Sequence, residues 1–323
     1  ENVTNLKALS IETNIFIHTH NDFLNDKELE ATIIQHEINM DDLNKGYLTW
    51  QCRPLMEKQK NDYQYFMYLE HDIKLFQPKK VKDISEQLIK LNPDIYITAA
   101  FGQFIPSNIL AHKPSINIHA SLLPAYRGAA PIQYALKDGQ KETGITIMYM
   151  VKEMDAGNMI SNKVVPIQQD DHATSLTLKL AHQGASLLRE TLPLFKNKRP
   201  IGEIQQTDKI TFAPKWQPKD ERVHLDMNCQ TFLNYVRANA MTPGATLRTD
   251  ACTFKIYEAI KNDIIQPDSV GKVSVSKSTF SLSLIDGVID ITTIQLPGKR
   301  KMPTKDFLNG QKVFVDGMIL KEI

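Results

Sequence analysis

The sequence predicts an α/β domain built on a parallel-rich sheet, followed by a smaller β-barrel domain. Three observations support this prediction. Between residues 80 and 196, amphipathic segments alternate with short apolar runs, as in sheets whose strands are joined by helices. Residues 197–218 are polar and contain proline, which is typical of a linker. After the linker the chain changes to short strand-like runs separated by turns, which favours a small barrel.

The length and charge limit the class of protein. A chain of 323 residues exceeds the usual span of one domain, so we expect domains at 1–196 and 219–323, joined by the linker 197–218. The formal net charge of +1 excludes a globally basic nucleic-acid-binding protein but allows local basic patches. Three scattered cysteines are too few for a disulfide framework or a cysteine-based zinc site.

The hydropathy pattern bears on the cellular location. No run of residues reaches the roughly 20 apolar positions that a membrane helix needs, and the polar start Glu-Asn-Val-Thr-Asn does not resemble a signal peptide. We therefore expect a cytoplasmic protein that does not associate with a membrane.

The first predicted elements are a strand at 13–18 and a helix at 25–37, where the pattern is mixed. A clearer helix covers residues 80–91, whose apolar side chains recur at helical spacing up to the helix-ending pair Asn92-Pro93. Residues 94–100 then form an apolar run with the length and composition of a buried strand.

The remaining elements of the first domain follow the same alternation. Residues 115–120 alternate as a strand does, a helix is expected over 129–137, and residues 144–151 are rich in β-forming side chains. A long helix over 173–196 places one set of leucines on a single face, namely Leu176, Leu180, Leu187 and Leu188.

The second domain begins with one predicted helix over 231–240. It continues with strand-like runs separated by turns, as in barrels of the oligonucleotide-binding type. These runs cover residues 252–258, 271–277, 279–285, 288–295 and 311–315.

Polar residues at one strand end indicate an active site. Asn117 and His119 lie two positions apart in the predicted strand, so their side chains point to the same face. The chain then leaves the sheet through a loop that contains Ser121, Pro124 and Gly128. Ligands bind at the carboxyl edge of an open α/β sheet. Further along the chain, Asp155 stands directly before Ala156 and Gly157. Taken alone, His119 fits a core position and Asp155 fits a turn.

Two further polar features have more than one interpretation. Arg127 fits an exposed surface cation, a contact with substrate or support of the loop, and all three remain open. The run His18-Thr19-His20-Asn21-Asp22 has the alternating histidines of some metal sites. Because no matching ligand set follows it in the chain, we expect no metal site.

These motifs together resemble the formyltransferase family that uses 10-formyltetrahydrofolate. The resemblance covers roughly residues 73–315 and is most specific at 115–133, 142–151 and 154–160, with further matches at 99–103, 211–214, 296–303 and 306–310. It implies a Rossmann-like formyltransferase domain followed by an oligonucleotide-binding-like barrel. It also implies that 10-formyltetrahydrofolate is the formyl donor and that no metal takes part.

The resemblance implies roles for individual residues. Asn117 is expected to donate to the formyl oxygen, His119 to donate to the developing oxyanion or to shuttle a proton, and Asp155 to orient His119. Ser121 is expected to shape the donor pocket rather than act as a nucleophile, since the reaction needs no covalent intermediate. The expected folate-binding residues are Phe101, Gly102, Gln103, Ser121, Leu122, Leu123 and Pro124.

The acceptor is implied by the C-terminal motif at 296–310, which is similar to the branch of the family that formylates methionyl initiator tRNA. Basic residues expected to contact RNA phosphates are Arg53, Lys58, Lys60, Lys299, Arg300 and Lys301. The run 51–60 has fewer cations than relatives carry and is interrupted by Glu57, so weaker or altered tRNA contact is expected there, unless it is only a solvated loop.

Two alternatives to this function remain open from the sequence. The same catalytic domain would serve an enzyme that formylates an amino sugar nucleotide, which needs no RNA-binding surface. A chain whose altered amino-terminal segment has lost catalysis would instead be a folate- or RNA-binding protein.

Overall fold

The computed structural model describes residue 76 and residues 78–196, 198–240, 243–263, 269–310 and 313–323. The predicted elements at 13–18 and 25–37, the histidines at 18 and 20 and the basic run at 51–60 lie outside the described residues. The described chain divides into two compact units. Residues 76–119, 147–160 and 192–204 belong to the first, and residues 120–146, 161–191 and 205–323 to the second. Because both units combine separate segments, the boundaries 1–196 and 219–323 stay a prediction.

The α/β part of the chain contains the elements predicted from residue 80 onward, in their predicted order, together with two that were not predicted. In chain order these are a 3-10 helix at Val81–Ile84, α1 (Ser85–Lys90), β1 (Tyr96–Ala99), α2 (Ser107–His112), β2 (Ser115–His119), α3 (Pro131–Lys137), β3 (Glu142–Tyr149), β4 (Met159–Pro166), α4 (Ala173–Thr191) and a 3-10 helix at Leu192–Phe195. Helix α2 and strand β4 were not expected, whereas the other elements match predicted segments. On α4 the four predicted leucines are buried.

The four strands form one sheet in the order β1-β2-β3-β4. Strands β1 and β2 are parallel, with Thr98 paired to Asn117. Strand β3 runs in the opposite direction to β2, since the amide of Met150, just after β3, donates to the carbonyl of Ser115 at the start of β2. The sheet is therefore mixed. This register sets the position of the turn after β3 relative to the end of β2.

The C-terminal part of the second unit is an antiparallel sheet with one long helix. Its elements are 3-10 helices at Thr207–Lys209 and Pro218–Glu221, α5 (Cys229–Asn239), β5 (Ala245–Arg248), β6 (Thr253–Lys261), β7 (Val273–Val275), β8 (Phe280–Leu284), β9 (Gly287–Gln295), β10 (Met302–Pro303) and α6 (Thr304–Leu308). The strand order is β5-β6-β9-β8-β7, and β10 pairs with β9. This antiparallel domain agrees with the predicted barrel-like class.

The core of this sheet explains one wrong prediction. Residues 313–315 belong to no strand, although a strand was expected over 311–315. Phe314 instead turns into the core, where its ring stacks on Phe280 at 4.8 Å and meets Phe254 edge-on at 5.2 Å. The β-like composition of this segment therefore reflects the burial of the Phe314 ring and not strand pairing. Strand β5 was not expected from the sequence.

Among the residues that the structure describes, no helix combines the length and hydropathy of a membrane span.

Candidate active site

Strand β2 supplies two of the three predicted catalytic side chains. Asn117 is half-buried and His119, the last residue of the strand, is only 5% exposed. Since side chains two apart in a strand lie on the same face, the amide and the imidazole share one face of the sheet at its carboxyl edge. Burial in a less polar environment strengthens their electrostatic effect on any charge that develops there.

The turn between β3 and β4 supplies the third predicted catalytic side chain. Asp155 lies in this turn with a φ of +50°, a left-handed conformation that Asp tolerates better than most residues. Its Oδ2 is 3.7 Å from His119 Nδ1. This separation lies within the range of an ion pair but exceeds that of a direct hydrogen bond.

A close backbone approach fixes the shape of this turn. A Cβ at Gly157 would lie 1.8 Å from the carbonyl oxygen of Tyr149, and the Tyr149 amide donates to the carbonyl of Asn158 at 2.9 Å. Only glycine fits at this contact, so Gly157 is a requirement of the turn that places Asp155 near His119.

A threonine on the neighbouring strand contacts the predicted oxyanion donor. Thr98 Oγ1 donates to Asn117 Oδ1 at 2.9 Å. This contact turns the oxygen of the Asn117 amide toward β1 and leaves the Nδ2 end for another partner. Sequence reasoning missed Thr98, because its role depends on the β1–β2 register and no local motif marks it.

The three residues of the predicted folate-binding run at 101–103 differ in their burial and in their contacts. Phe101 is half-buried against the cluster that contains Leu88 and Ile109, and Gly102 is exposed. The side chain of Gln103 accepts from the Val81 amide at 2.9 Å and donates to the Lys79 carbonyl at 3.3 Å. Within the first unit, that side chain holds the start of the 3-10 helix at Val81–Ile84.

The predicted loop 121–124 belongs to the second unit and is held by hydrogen bonds. Ser121 is fully buried and its hydroxyl donates to the Ala125 carbonyl at 2.6 Å. Thr146 Oγ1 donates to the Ser121 carbonyl at 2.7 Å and accepts from the Leu123 amide at 3.0 Å. The Ser121 hydroxyl thus closes the loop, which is a structural role. Leu122 and Pro124 are half-buried beside it.

Arg127 supports the loop, which was one of its three open interpretations, and its burial excludes the interpretation as an exposed surface cation. Its side chain is 5% exposed and its Nε donates to Gln205 Oε1 at 2.9 Å. Its backbone pairs with the segment that follows, through Thr211 and Ala213. Gly128, at a φ of +125°, would place a Cβ 2.5 Å from the Ala213 carbonyl. Within the second unit, residues 205–213 are therefore tied to the loop.

The three predicted C-terminal cations lie in the connection between β9 and β10. Lys299, Arg300 and Lys301 are all exposed, and the Lys301 ammonium lies 4.5 Å from the ring centroid of Tyr257. The Gln295 side chain accepts from the Tyr257 hydroxyl at 2.6 Å and donates to the Lys299 carbonyl at 2.7 Å. The basic turn, residues 296–301, is thus anchored to the sheet while its charges face solvent.

Another polar cluster lies at the edge of the same sheet. His224, Asp226 and Glu322 bring their ligand atoms within 4.8 Å of one another. The Glu322 carboxylate accepts from the Leu225 amide at 3.1 Å, pairs with His224 and lies 4.0 Å from Arg222 Nη2. These contacts tie the C-terminal residues to the strand-like segment at 222–225, which is a structural role.

An amide, an imidazole and a carboxylate at the carboxyl edge of an α/β sheet are groups that can stabilise a developing oxyanion and move protons, as in enzymes that transfer acyl or formyl groups. Two family models match the chain: one described as formyl transferase over residues 22–192, and one described as formyl transferase, C-terminal domain, over residues 215–312. The chain belongs to the formyl transferase family.

Relatives in the same family are similar over most of their length. The methionyl-tRNA formyltransferase of Lactobacillus gasseri is 40% identical over 248 residues, which is 75% of this chain and 79% of the relative. The methionyl-tRNA formyltransferase of Listeria innocua is 39% identical over 247 residues, with the same coverages of 75% and 79%. That of Streptococcus sanguinis is 40% identical over 249 residues, 75% of this chain and 78% of the relative.

Solved structures show the same fold at lower identity. HypX from Aquifex aeolicus in complex with tetrahydrofolic acid has a TM-score of 0.58 at 19% identity, covering 71% of this chain and 41% of the HypX chain. The N-formyltransferase from Helicobacter canadensis, in complex with folinic acid and dTDP-3-aminofucose, has a TM-score of 0.50 at 18% identity, covering 61% and 72%. At these identities the likeness concerns the fold.

Proposed function

We propose that this enzyme transfers the formyl group of 10-formyltetrahydrofolate to the amino group of methionyl initiator tRNA, giving formylmethionyl-tRNA and tetrahydrofolate. The proposal draws on relatives about 40% identical that are named methionyl-tRNA formyltransferases. The single structural observation that supports it most is the buried His119 with Asn117 on the same strand and Asp155 at 3.7 Å. The reaction takes place in the cytoplasm.

The chemistry requires stabilisation of an oxyanion. The amino nitrogen of the methionyl group attacks the formyl carbon, and the electron pair of the carbonyl bond moves to oxygen. Asn117 Nδ2 donates a hydrogen bond to that oxygen as it gains charge. One such donor is worth about 3 to 4 kcal/mol of transition-state free energy, which corresponds to about 10² to 10³ in kcat.

Proton transfer completes the reaction. The attacking nitrogen loses one proton, and N10 of the folate gains one as the bond between the formyl carbon and N10 breaks. His119 moves a proton between these positions or donates to the oxyanion, and Asp155 stabilises the imidazolium form that arises on the way. The donor and acceptor are both supplied as substrates, and no covalent intermediate on the chain is needed.

The folate site stays a prediction from the resemblance. It comprises Phe101, Gly102, Gln103 and the loop from Ser121 to Pro124. The anchoring of the Gln103 side chain at residues 79–81 means that any contact of this residue with folate uses its backbone, unless the side chain leaves those partners.

The test of this function is direct. Purified enzyme is incubated with 10-formyltetrahydrofolate and methionyl initiator tRNA, and formylmethionine is quantified after the ester is hydrolysed. We expect turnover with this acceptor and much slower turnover with dTDP-linked amino sugars, which serve as the competing acceptor class. Formylation of the sugar without formylation of the tRNA refutes the proposed acceptor, and folate binding without transfer to either refutes catalysis.

A further inference from the structure

A carboxamide helps an oxyanion only in one of its two orientations. Its NH2 end donates a hydrogen bond, whereas its oxygen end only accepts one and repels a negative oxygen. The two ends have nearly the same shape, so packing alone does not distinguish them. Whatever orients the Asn117 amide therefore determines whether it helps or hinders the reaction.

The hydroxyl of Thr98 is the contact that distinguishes the two ends. Thr98 lies directly opposite Asn117 in the parallel β1–β2 register, so both side chains project from the same face of the sheet. Its Oγ1 donates to Asn117 Oδ1 at 2.9 Å. Two weaker acceptors lie nearby, the Ile116 carbonyl at 3.4 Å and the Met150 thioether at 3.2 Å.

The flipped amide has poorer partners. With Nδ2 turned toward Thr98, the threonine proton has to go to the Ile116 carbonyl, at the long distance of 3.4 Å, or to sulfur, which is a weak acceptor. The amide oxygen would then face the formyl oxygen, where both groups carry negative charge. The contacts around Thr98 therefore favour the orientation in which Asn117 presents Nδ2 to the reaction.

We propose that Thr98 is a positioning residue, which holds the Asn117 amide with its NH2 end available to the formyl oxygen before substrate binds. This inference rests on the proposed function, in which Asn117 stabilises the oxyanion. A preoriented donor needs no reorganisation when charge develops. Thr98 thus acts on the chemical step through Asn117, without contacting the substrate itself.

The first experiment compares Thr98→Val, which keeps the shape and removes the hydroxyl, with Thr98→Ser, which keeps the hydroxyl. For Thr98→Val we expect kcat to fall about tenfold, the value of one hydrogen bond, with KM for both substrates within about twofold. We expect Thr98→Ser to retain at least about half of the wild-type kcat. If Thr98→Val does not fold, Thr98→Ala takes its place in the comparison with Thr98→Ser.

The chain offers a matched control. Thr143 on β3 is a buried threonine, whereas Thr98 is half-buried, and the Thr143 hydroxyl has no hydrogen-bond partner among the described residues. Thr143→Val makes the same chemical change in the same sheet, and we expect kcat within about twofold of wild type, because no hydrogen bond is removed. An equal fall of kcat in Thr143→Val would mean that the effect of Thr98→Val is not specific.

A double-mutant cycle separates positioning from a general effect on the sheet. If Thr98 acts through Asn117, Thr98→Val has no further effect on kcat once Asn117→Ala has removed the amide. A tenfold fall of kcat that persists in the Asn117→Ala background overturns the inference, as does Thr98→Val with wild-type kcat in an active enzyme.

A second measurement does not depend on turnover. The side-chain NH2 resonances of Asn117, observed by NMR with asparagine-selective labelling, are expected to shift in Thr98→Val and to stay in place in Thr98→Ser and Thr143→Val. Unchanged Asn117 resonances in Thr98→Val refute the positioning role even in a chain that formylates nothing. Shifted resonances in such a chain support the positioning role, while the proposed function fails.

Discussion

At the residue scale, the imidazole of His119 is the group with the clearest prediction. Its position on β2 places it on one face with Asn117, and Asp155 Oδ2 lies 3.7 Å from its Nδ1. In the proposed mechanism His119 moves a proton or donates to the oxyanion, and a positioned acid or base typically accelerates a reaction by about 10² to 10⁴.

We therefore expect His119→Ala to lower kcat by about 10² or more, with a folded protein and little change in KM. Steady-state formylation of methionyl-tRNA and far-UV circular dichroism measure the two properties. His182→Ala is the control, since His182 is an exposed histidine on α4. Retained turnover in His119→Ala would remove His119 from the mechanism.

At the scale of elements, the turn between β3 and β4 fixes the position of Asp155. Gly157→Ala would bring a Cβ within 1.8 Å of the Tyr149 carbonyl, so the turn has to move and Asp155 moves with it. Misplacement of a catalytic group by about 1 Å can cost about a hundredfold in rate. We expect Gly157→Ala to lower kcat by that order and also to lower the midpoint of thermal unfolding.

Asn158, which follows Gly157 and is exposed, provides the control for that turn. Asn158→Ala changes the side chain and keeps the backbone contact between Asn158 and Tyr149, so kcat and the unfolding midpoint are expected to remain near wild type. If Gly157→Ala has the kcat of wild type, the geometry of this turn is not needed for catalysis.

The start of α4 makes stability depend on pH. Asp171 is 4% exposed. Burial alone raises the pKa of its carboxyl, but hydrogen bonds from Lys179, the Gln168 amide and Ser175 outweigh burial and hold that pKa below its ordinary value. A lowered folded-state pKa stabilises the fold above the unfolded-state pKa, and this contribution disappears as the pH falls through the folded-state pKa.

We expect Asp171→Asn to lower the free energy of unfolding at pH 7 by about 2 kcal/mol, the usual value for hydrogen bonds to a charged group. The difference from wild type is expected to shrink below about pH 4, where the unfolded-state carboxyl protonates. Urea unfolding at several pH values measures this difference in the free energy of unfolding. Asp208→Asn, at an exposed aspartate, is expected to have no such effect, and an Asp171→Asn difference that is the same at all pH values contradicts this account.

How far the sequence predicted each element depended on how local its signal was. The helix at 80–91 and strand β2 were predicted because their periodicity is complete within the segment. Strand β4 was missed, since polar residues such as Ser161 and Lys163 interrupt its apolar pattern. The site followed the same rule: the spacing of Asn117 and His119 is local, whereas the contact with Thr98 arises only when two strands adopt their register.

At the scale of the whole molecule, a chain of net charge +1 needs a local surface for a polyanionic acceptor. The exposed basic turn, anchored through Gln295 and Tyr257, is the C-terminal candidate for that surface. Within it Lys299 and Arg300 do not share the ring contact that Lys301 makes with Tyr257. We therefore expect these two cations to be the ones that meet RNA phosphates, while Lys301 also contacts the ring of Tyr257.

We expect the double variant Lys299→Gln and Arg300→Gln to raise KM for methionyl-tRNA and to leave kcat near wild type, because phosphate contacts contribute to binding and take no part in the formyl transfer. The dependence of log(kcat/KM) on log[salt] is expected to become shallower by roughly 0.7 to 0.9 for each phosphate that the variant no longer binds. Lys277→Gln, at an exposed lysine after β7, removes one charge elsewhere on the same sheet and is expected to change neither quantity. Unchanged KM and salt dependence in the double variant would refute the RNA-binding role of this turn, and wild-type activity on an amino sugar nucleotide in that variant would then favour the small acceptor.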